Sequence, residues 1–321
     1  MGCVPFFQVN MSDWNIQDAA STYEMRPARD AERSLHSLDH ERSVLPGKAA
    51  APIGVFDSGA GGLTILSALR QELPGEDYIY FGDTANCPYG VRSDPDIIDL
   101  STQISRYLIE RGVKIIVVAC NTATQAAITT LRATFPSVPF IGVVPAVKPA
   151  ARATKKGRIG IAATNQAAKA LYLHQLIDEF AEGIHAYAVG CPELVTLVEL
   201  GELDGPVVEE TVGQALQPVL KHDVDVIVLG CTHFPALRTV FERVAGNSVQ
   251  IIDSGAAIAR RTRVVLDAEG LIRTNSKDNP ACGELEVLCS GDPIAFSSVA
   301  SKIAGFNIVA QQVNLKREGV L

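Results

Sequence analysis

The chain has 321 residues, 47% of them hydrophobic and 20% charged, which is ordinary for a globular protein and enough for two domains of usual size. Its formal net charge of -8 argues against a nucleic-acid partner, which would need a basic face. No apolar run reaches the roughly 18 residues of a membrane helix, and seven cysteines without a C-x-x-C pair support neither a disulfide framework nor a zinc knuckle. With no basic flank and apolar core at its start, the chain reads as cytoplasmic with reduced thiols.

Residues 1–50 differ from the rest, with few branched aliphatics and mixed charges, and read as a flexible extension with one short helix near 30–42. From residue 52 the pattern becomes strand, turn, helix. IGVFDSGAGGLTILSALRQEL predicts a strand at 53–56, a glycine-rich turn and a helix stopped by Pro74 and Gly75. DYIYFGDT supplies a second strand, and a helix over 96–111 follows the loop NCPYGVRSDP.

At 115–124 the sequence IIVVACNTAT runs an apolar strand into a polar turn headed by Cys120, with a helix expected over 125–135. PFIGVVPA and RIGIAAT read as further strands, 167–182 as a helix, IHAYAVG as a strand and 206–221 as a helix. VIVLGCTHFP at 226–235 repeats the first cysteine strand, with Thr232 and His233 where the first has Asn121 and Thr122. IIDSGAAIARRTRVVL repeats in weaker form the strand, DSG and helix of IGVFDSGAGG, and LEVLCSGDPIAFSSVASKIAGFNI closes the chain as strand, turn and helix. The predicted architecture is α/β: two pseudosymmetric, doubly wound domains with mostly parallel sheets and one shared crevice. The boundaries expected are 51–143 plus 256–321 for the first domain and 144–255 for the second.

In open α/β sheets ligands bind beyond the carboxyl ends of the strands, so both cysteines are expected on the crevice floor. The DSGAGG turn lacks the spacing of a nucleotide loop; it supplies Asp57 and Ser58 at a strand end, with glycines that admit a ligand to the backbone. His233, two residues after Cys231, is placed to tune that thiol. Tyr89 and Gly90 form a rigid turn able to exclude solvent, whereas Cys87 has no counterpart in the other half and reads as a bystander.

Taken in order, DSGAGGL, GDTANCPYG, ACNTAT, GCTHFP and IIDSG resemble the glutamate racemases of the aspartate/glutamate racemase superfamily over about residues 53–305. The resemblance implies cofactor-independent interconversion of glutamate enantiomers for peptidoglycan synthesis, with Cys120 and Cys231 as acid/base thiols. It further implies that Asp57 assists the first thiol and His233 the second. Asp57, Ser58, Tyr89, Gly90, Asn121, Thr122, Thr232 and His233 would line the substrate site, with Glu199 another acidic residue associated with it. No metal is implied; a homodimer and a peptidoglycan-precursor activator are. The sequence departs from the family at Phe234, where tyrosine is usual, and at Asn165, Gln166 and Ala167, which replace a Gly-Thr pair. Two other readings fit the same residues: a racemase or isomerase for another acidic substrate such as aspartate, or a non-catalytic thiol-based binding or redox protein.

Overall fold

The computed structural model describes residues 7–8, 48–273 and 283–315; the helix expected near 30–42 and most of the N-terminal extension lie outside them. Beyond strand β1 (Phe7–Gln8), the chain builds β2 (Ile53–Asp57), α1 (Leu63–Glu72), β3 (Tyr78–Gly82), α2 (Asp94–Glu110), β4 (Ile115–Val118), α3 (Asn121–Thr134) and β5 (Phe140–Gly142). It continues with α4 (Val147–Ala153), β6 (Arg158–Ala163), α5 (Asn165–Lys169), α6 (Leu171–Phe180), β7 (His185–Gly190), α7 (Pro192–Glu199), α8 (Pro206–Leu220), β8 (Val226–Leu229), α9 (Arg238–Ala245) and β9 (Gln250–Ile252). The final elements are α10 (Gly255–Ala268), β10 (Leu285–Cys289), α11 (Pro293–Ala304) and β11 (Ala310–Gln312).

These strands form two sheets, one ordered β11-β10-β3-β2-β4-β5 and the other β1-β7-β6-β8-β9. All pairings are parallel except β1 with β7. Within them, β3-β2-β4-β5 and β7-β6-β8-β9 have the same order, second, first, third and fourth strand of each unit. Pseudosymmetry is therefore built into the topology.

Helices cover both faces of each sheet, which explains the unbroken apolar strands. Ile115 and Val117 join one core cluster while Ile116 and Val118 join another on the opposite face. In β8 the same split sends Ile227 and Leu229 to one side and Val226 and Val228 to the other. Successive strand residues alternate faces, and both faces here are dry, so neither position tolerates a polar side chain.

Some boundaries differ from expectation. Helix α3 starts at Asn121 rather than 125, because the Cys120 Sγ accepts a hydrogen bond from the Ala123 N–H at 3.5 Å and caps the first turn. The helix expected over 167–182 is two, α5 and α6, interrupted at Ala170, whose backbone is extended. Among the described residues, no helix is long and apolar enough to cross a membrane.

Candidate active site

The two cysteine turns leave their sheets in the same way. Ala119 N–H donates to Phe56 O at 2.7 Å, and Gly230 N–H donates to Ala162 O at 2.7 Å, each tying the residue before the cysteine to the neighbouring first strand of its unit. Cys120 and Cys231 thus occupy equivalent places, two residues past β4 and β8, at the switch point of each sheet. Both are 5% exposed, and they are close enough for the charge of Cys231 to act on Cys120.

Their surroundings are unequal. Cys120 Sγ lies 3.7 Å from Ser58 Oγ, to which it donates, and burial together with the nearby Asp57 charge pushes its pKa up to about 12. Asp57 is fully buried, accepting from Gly59 N–H at 2.7 Å and from the Thr232 hydroxyl at 3.1 Å. Burial raises its carboxyl above the usual range, against the opposing pull of His233.

Cys231 instead faces an imidazole. Its Sγ is 3.6 Å from His233 Nδ1, and His233 Nε2 is 2.5 Å from Glu199 Oε1. Burial works against a charged imidazole here, but hydrogen bonds with Cys231, Cys87 and Glu199 outweigh it and hold His233 well above its ordinary value. Burial likewise opposes the Glu199 carboxylate, yet His233 and the Ala60 N–H, at 2.7 Å, keep it lowered. The result is a Cys-His-Glu chain in which an imidazolium supports one thiol while a carboxylate flanks the other.

Residues from the two units meet directly around these groups. Thr232 reaches Asp57; Thr64 Oγ1 donates to Thr232 O at 2.9 Å; the Thr122 and Thr164 hydroxyls are 3.2 Å apart. The glycine turn permits this closeness. A Cβ on Gly61 would lie 2.4 Å from His233 Nδ1, and one on Gly59 would lie 2.1 Å from Glu199 Oε1, so neither position has room for a side chain.

The structure brings together Asp57, Ser58, Cys120, Asn121, Thr122, Glu199, Cys231, Thr232 and His233. Asn121 Oδ1 is buried without a hydrogen-bond partner, an unsatisfied acceptor on the first turn of α3. Tyr89 is buried with its hydroxyl donated to Asp83 Oδ2 at 2.6 Å, so it braces its loop; Gly90 packs against Thr164, where an added Cβ would come within 3.1 Å. Asp83 holds that loop, accepting also from Asn86 Nδ2 at 3.0 Å and Ser290 Oγ at 2.6 Å.

Other departures have clear surroundings. Phe234 is fully buried and stacks on Phe241 at 5.9 Å, so the ring fills core space. Thr164 caps α5 by accepting from Ala167 N–H at 3.2 Å, and Gln166 Nε2 donates to Asp94 Oδ1 at 2.6 Å. Sequence reasoning missed Thr164, whose only signal was its place at the end of β6, and it did not place Cys87 at the site. That residue stands beside His233 and Glu199, not apart from the site.

Two lobes of one topology each deliver a cysteine to a shared, closely packed centre. The family model for "Asp/Glu/Hydantoin racemase" matches residues 54–262, and the chain belongs to that family. It is 46% identical over 248 residues to a glutamate racemase of Herpetosiphon aurantiacus, covering 77% of this chain and 96% of the relative. The fold superposes on a glutamate racemase isoform of Bacillus anthracis with a TM-score of 0.74 at 33% identity, covering 83% of this chain and 98% of the other. The Escherichia coli glutamate racemase, solved with L-glutamate and the activator UDP-MurNAc-Ala, gives a TM-score of 0.72 at 34% identity over 83% of this chain and 99% of that one. The chain is accordingly an enzyme, and the thiol-based binding or redox alternative falls away.

Proposed function

We propose that Cys120 and Cys231 are the proton-transfer groups of this racemase, one on each side of the substrate α-carbon. The reaction is the interconversion of L- and D-glutamate, which supplies D-glutamate for peptidoglycan. One thiolate takes the α-proton, the C–H electron pair passes into the α-carboxylate system, and the opposite thiol delivers its proton to the other face. Thiol and thiolate have then exchanged sides, and the reverse reaction needs only the reverse transfer.

The observation that carries this reading is the equivalent placement of the two cysteines past β4 and β8, since inversion without net change requires paired groups on opposite faces. Their unequal surroundings assign a starting state. Cys120, buried beside the Asp57 carboxyl, is the thiol held protonated, while Cys231 is the one whose Sγ faces the His233–Glu199 pair. The unsatisfied Asn121 Oδ1 is an acceptor for the substrate ammonium, and Ser58, Thr122 and Thr232 supply hydroxyls near the carboxylate. Tyr89 and Gly90 wall the crevice in this reading.

The domain division at 143/144 and 255/256 follows the two sheets and belongs to the same proposal, as do a cytoplasmic location, a homodimer and activation by a peptidoglycan precursor. Incubation with L-glutamate in deuterated water, without added cofactor, tests the function. Loss of optical rotation with α-deuterium incorporation is expected; change with aspartate only would replace the substrate, and no change with either, also with UDP-MurNAc-Ala added, would refute the reading.

A further inference from the structure

Cys87 lies in the loop after β3, Glu199 at the end of α7 and His233 in the turn after β8. Folding brings one donor atom of each, thiol, carboxylate oxygen and ring nitrogen, to within 4.8 Å of one another. The two-thiol exchange uses His233 and Glu199 but gives Cys87 no proton to transfer. Cys87 and Glu199 are only partly buried, so the cluster is open to solvent on their side.

We propose that Cys87, Glu199 and His233 form a binding site for a thiophilic divalent cation, zinc above all, and that its occupancy shuts off racemisation. Sulfur and imidazole donors select zinc over magnesium or calcium, and three protein ligands leave the fourth tetrahedral position for water. A tetrahedral zinc ion holds its donors roughly 3.5 Å apart, so the widest spacing must close by about 1 Å at most and the His233–Glu199 contact, at 2.5 Å, must open by about 1 Å. The ion would take the donor atoms that now join His233 to Glu199, break that contact and shift the ring whose Nδ1 stands 3.6 Å from Cys231. Inhibition rests on the roles of His233 and Glu199 given above, whereas binding does not.

Cobalt(II) and zinc(II) added to the full chain, with racemisation followed alongside, test the proposal. Cobalt should produce thiolate-to-metal charge-transfer absorption, zinc should displace it, and racemisation should fall in step with occupancy and return with a chelator. Cys87→Ser should lose the absorption and, measured against its own metal-free rate, tolerate at least about 10- to 100-fold more zinc, since losing a direct ligand costs no less than losing an outer-shell one. Glu199→Gln should keep the absorption but weaken cobalt binding, a readout independent of activity and of whether Cys87→Ser folds. A band that survives in Cys87→Ser, with unchanged zinc sensitivity, would place the metal on Cys120 and Cys231 and overturn the proposal, as would the absence of any band. Metal binding in a protein that never racemises glutamate would instead refute the functional reading and leave the metal site standing.

Discussion

Glu199 Oε1 lies 2.5 Å from His233 Nε2 and 2.7 Å from Ala60 N, so a single carboxylate oxygen holds the imidazole of one lobe and the glycine turn of the other. Closure of the lobes and support of the Cys231 thiol therefore depend on the same atom.

Replacement of Glu199 by Gln should expose that dependence through pH. His233 has a folded pKa above its ordinary 6.5, so its stabilisation is complete below that value and is lost as pH rises through the folded pKa. Glu199 is lowered from 4.5, so its share is present above 4.5 and is lost as pH falls through the folded pKa. The pair thus stabilises most between about 4.5 and 6.5 and fades on either side. In Glu199→Gln the alkaline limb of a stability-against-pH curve should move to lower pH, and kcat should fall about 100-fold, the low end for an acid–base group. Denaturant melts across pH check the first and steady-state kinetics the second.

Thr232→Val removes the donor to Asp57 Oδ2 and leaves a buried carboxylate one hydrogen bond short. A loss of about 1–3 kcal/mol in urea unfolding is expected. Wild-type stability in this variant would mean that the contact between lobes contributes nothing.

Two glycine replacements should have opposite signs. Gly61→Ala forces the His233 ring away from Cys231, because the new Cβ would sit 2.4 Å from Nδ1. About 1–3 kcal/mol of stability should be lost, with a fall in kcat. Gly213, inside α8, has its nearest neighbour, Val244 Cγ1, at 4.0 Å. Alanine there should add about 0.5–1 kcal/mol and leave kinetics unchanged, since helix glycine costs backbone entropy. Thermal melts of both variants decide it.

Far from the crevice, Lys114 and Glu76 form an ion pair with side chains 0% and 3% exposed. Lys114 also donates to Ala49 O at 2.7 Å, and Glu76 accepts from Arg273 N–H at 2.9 Å. Lys114→Met strands a buried carboxylate and should cost about 3–5 kcal/mol while kcat stays unchanged. Equilibrium unfolding checks the cost, and a loss below about 1 kcal/mol would contradict it.

Much of this was legible in the sequence because the strands are dry on both faces. Runs such as IIVV and VIVL carry their own signature, and the polar turn after each marks the strand's carboxyl end. The start of α3 was obscured because cysteine replaces the usual oxygen-bearing cap, so Asn121 and Thr122 read as turn rather than first helical turn. The break at Ala170 carries no glycine or proline to announce it. Cys87 was illegible for another reason: its neighbours Gly59, Glu199 and His233 come from three distant segments, and only closure of the two lobes joins them.

The central claim is that two thiols act on opposite faces, and the most direct measurement is racemisation of L- and D-glutamate in deuterated water by Cys120→Ser and Cys231→Ser beside the unmodified enzyme. Each variant should keep its fold by circular dichroism and lose about 10²- to 10⁴-fold in kcat from both enantiomers. Full racemisation by either folded variant would contradict the two-thiol mechanism.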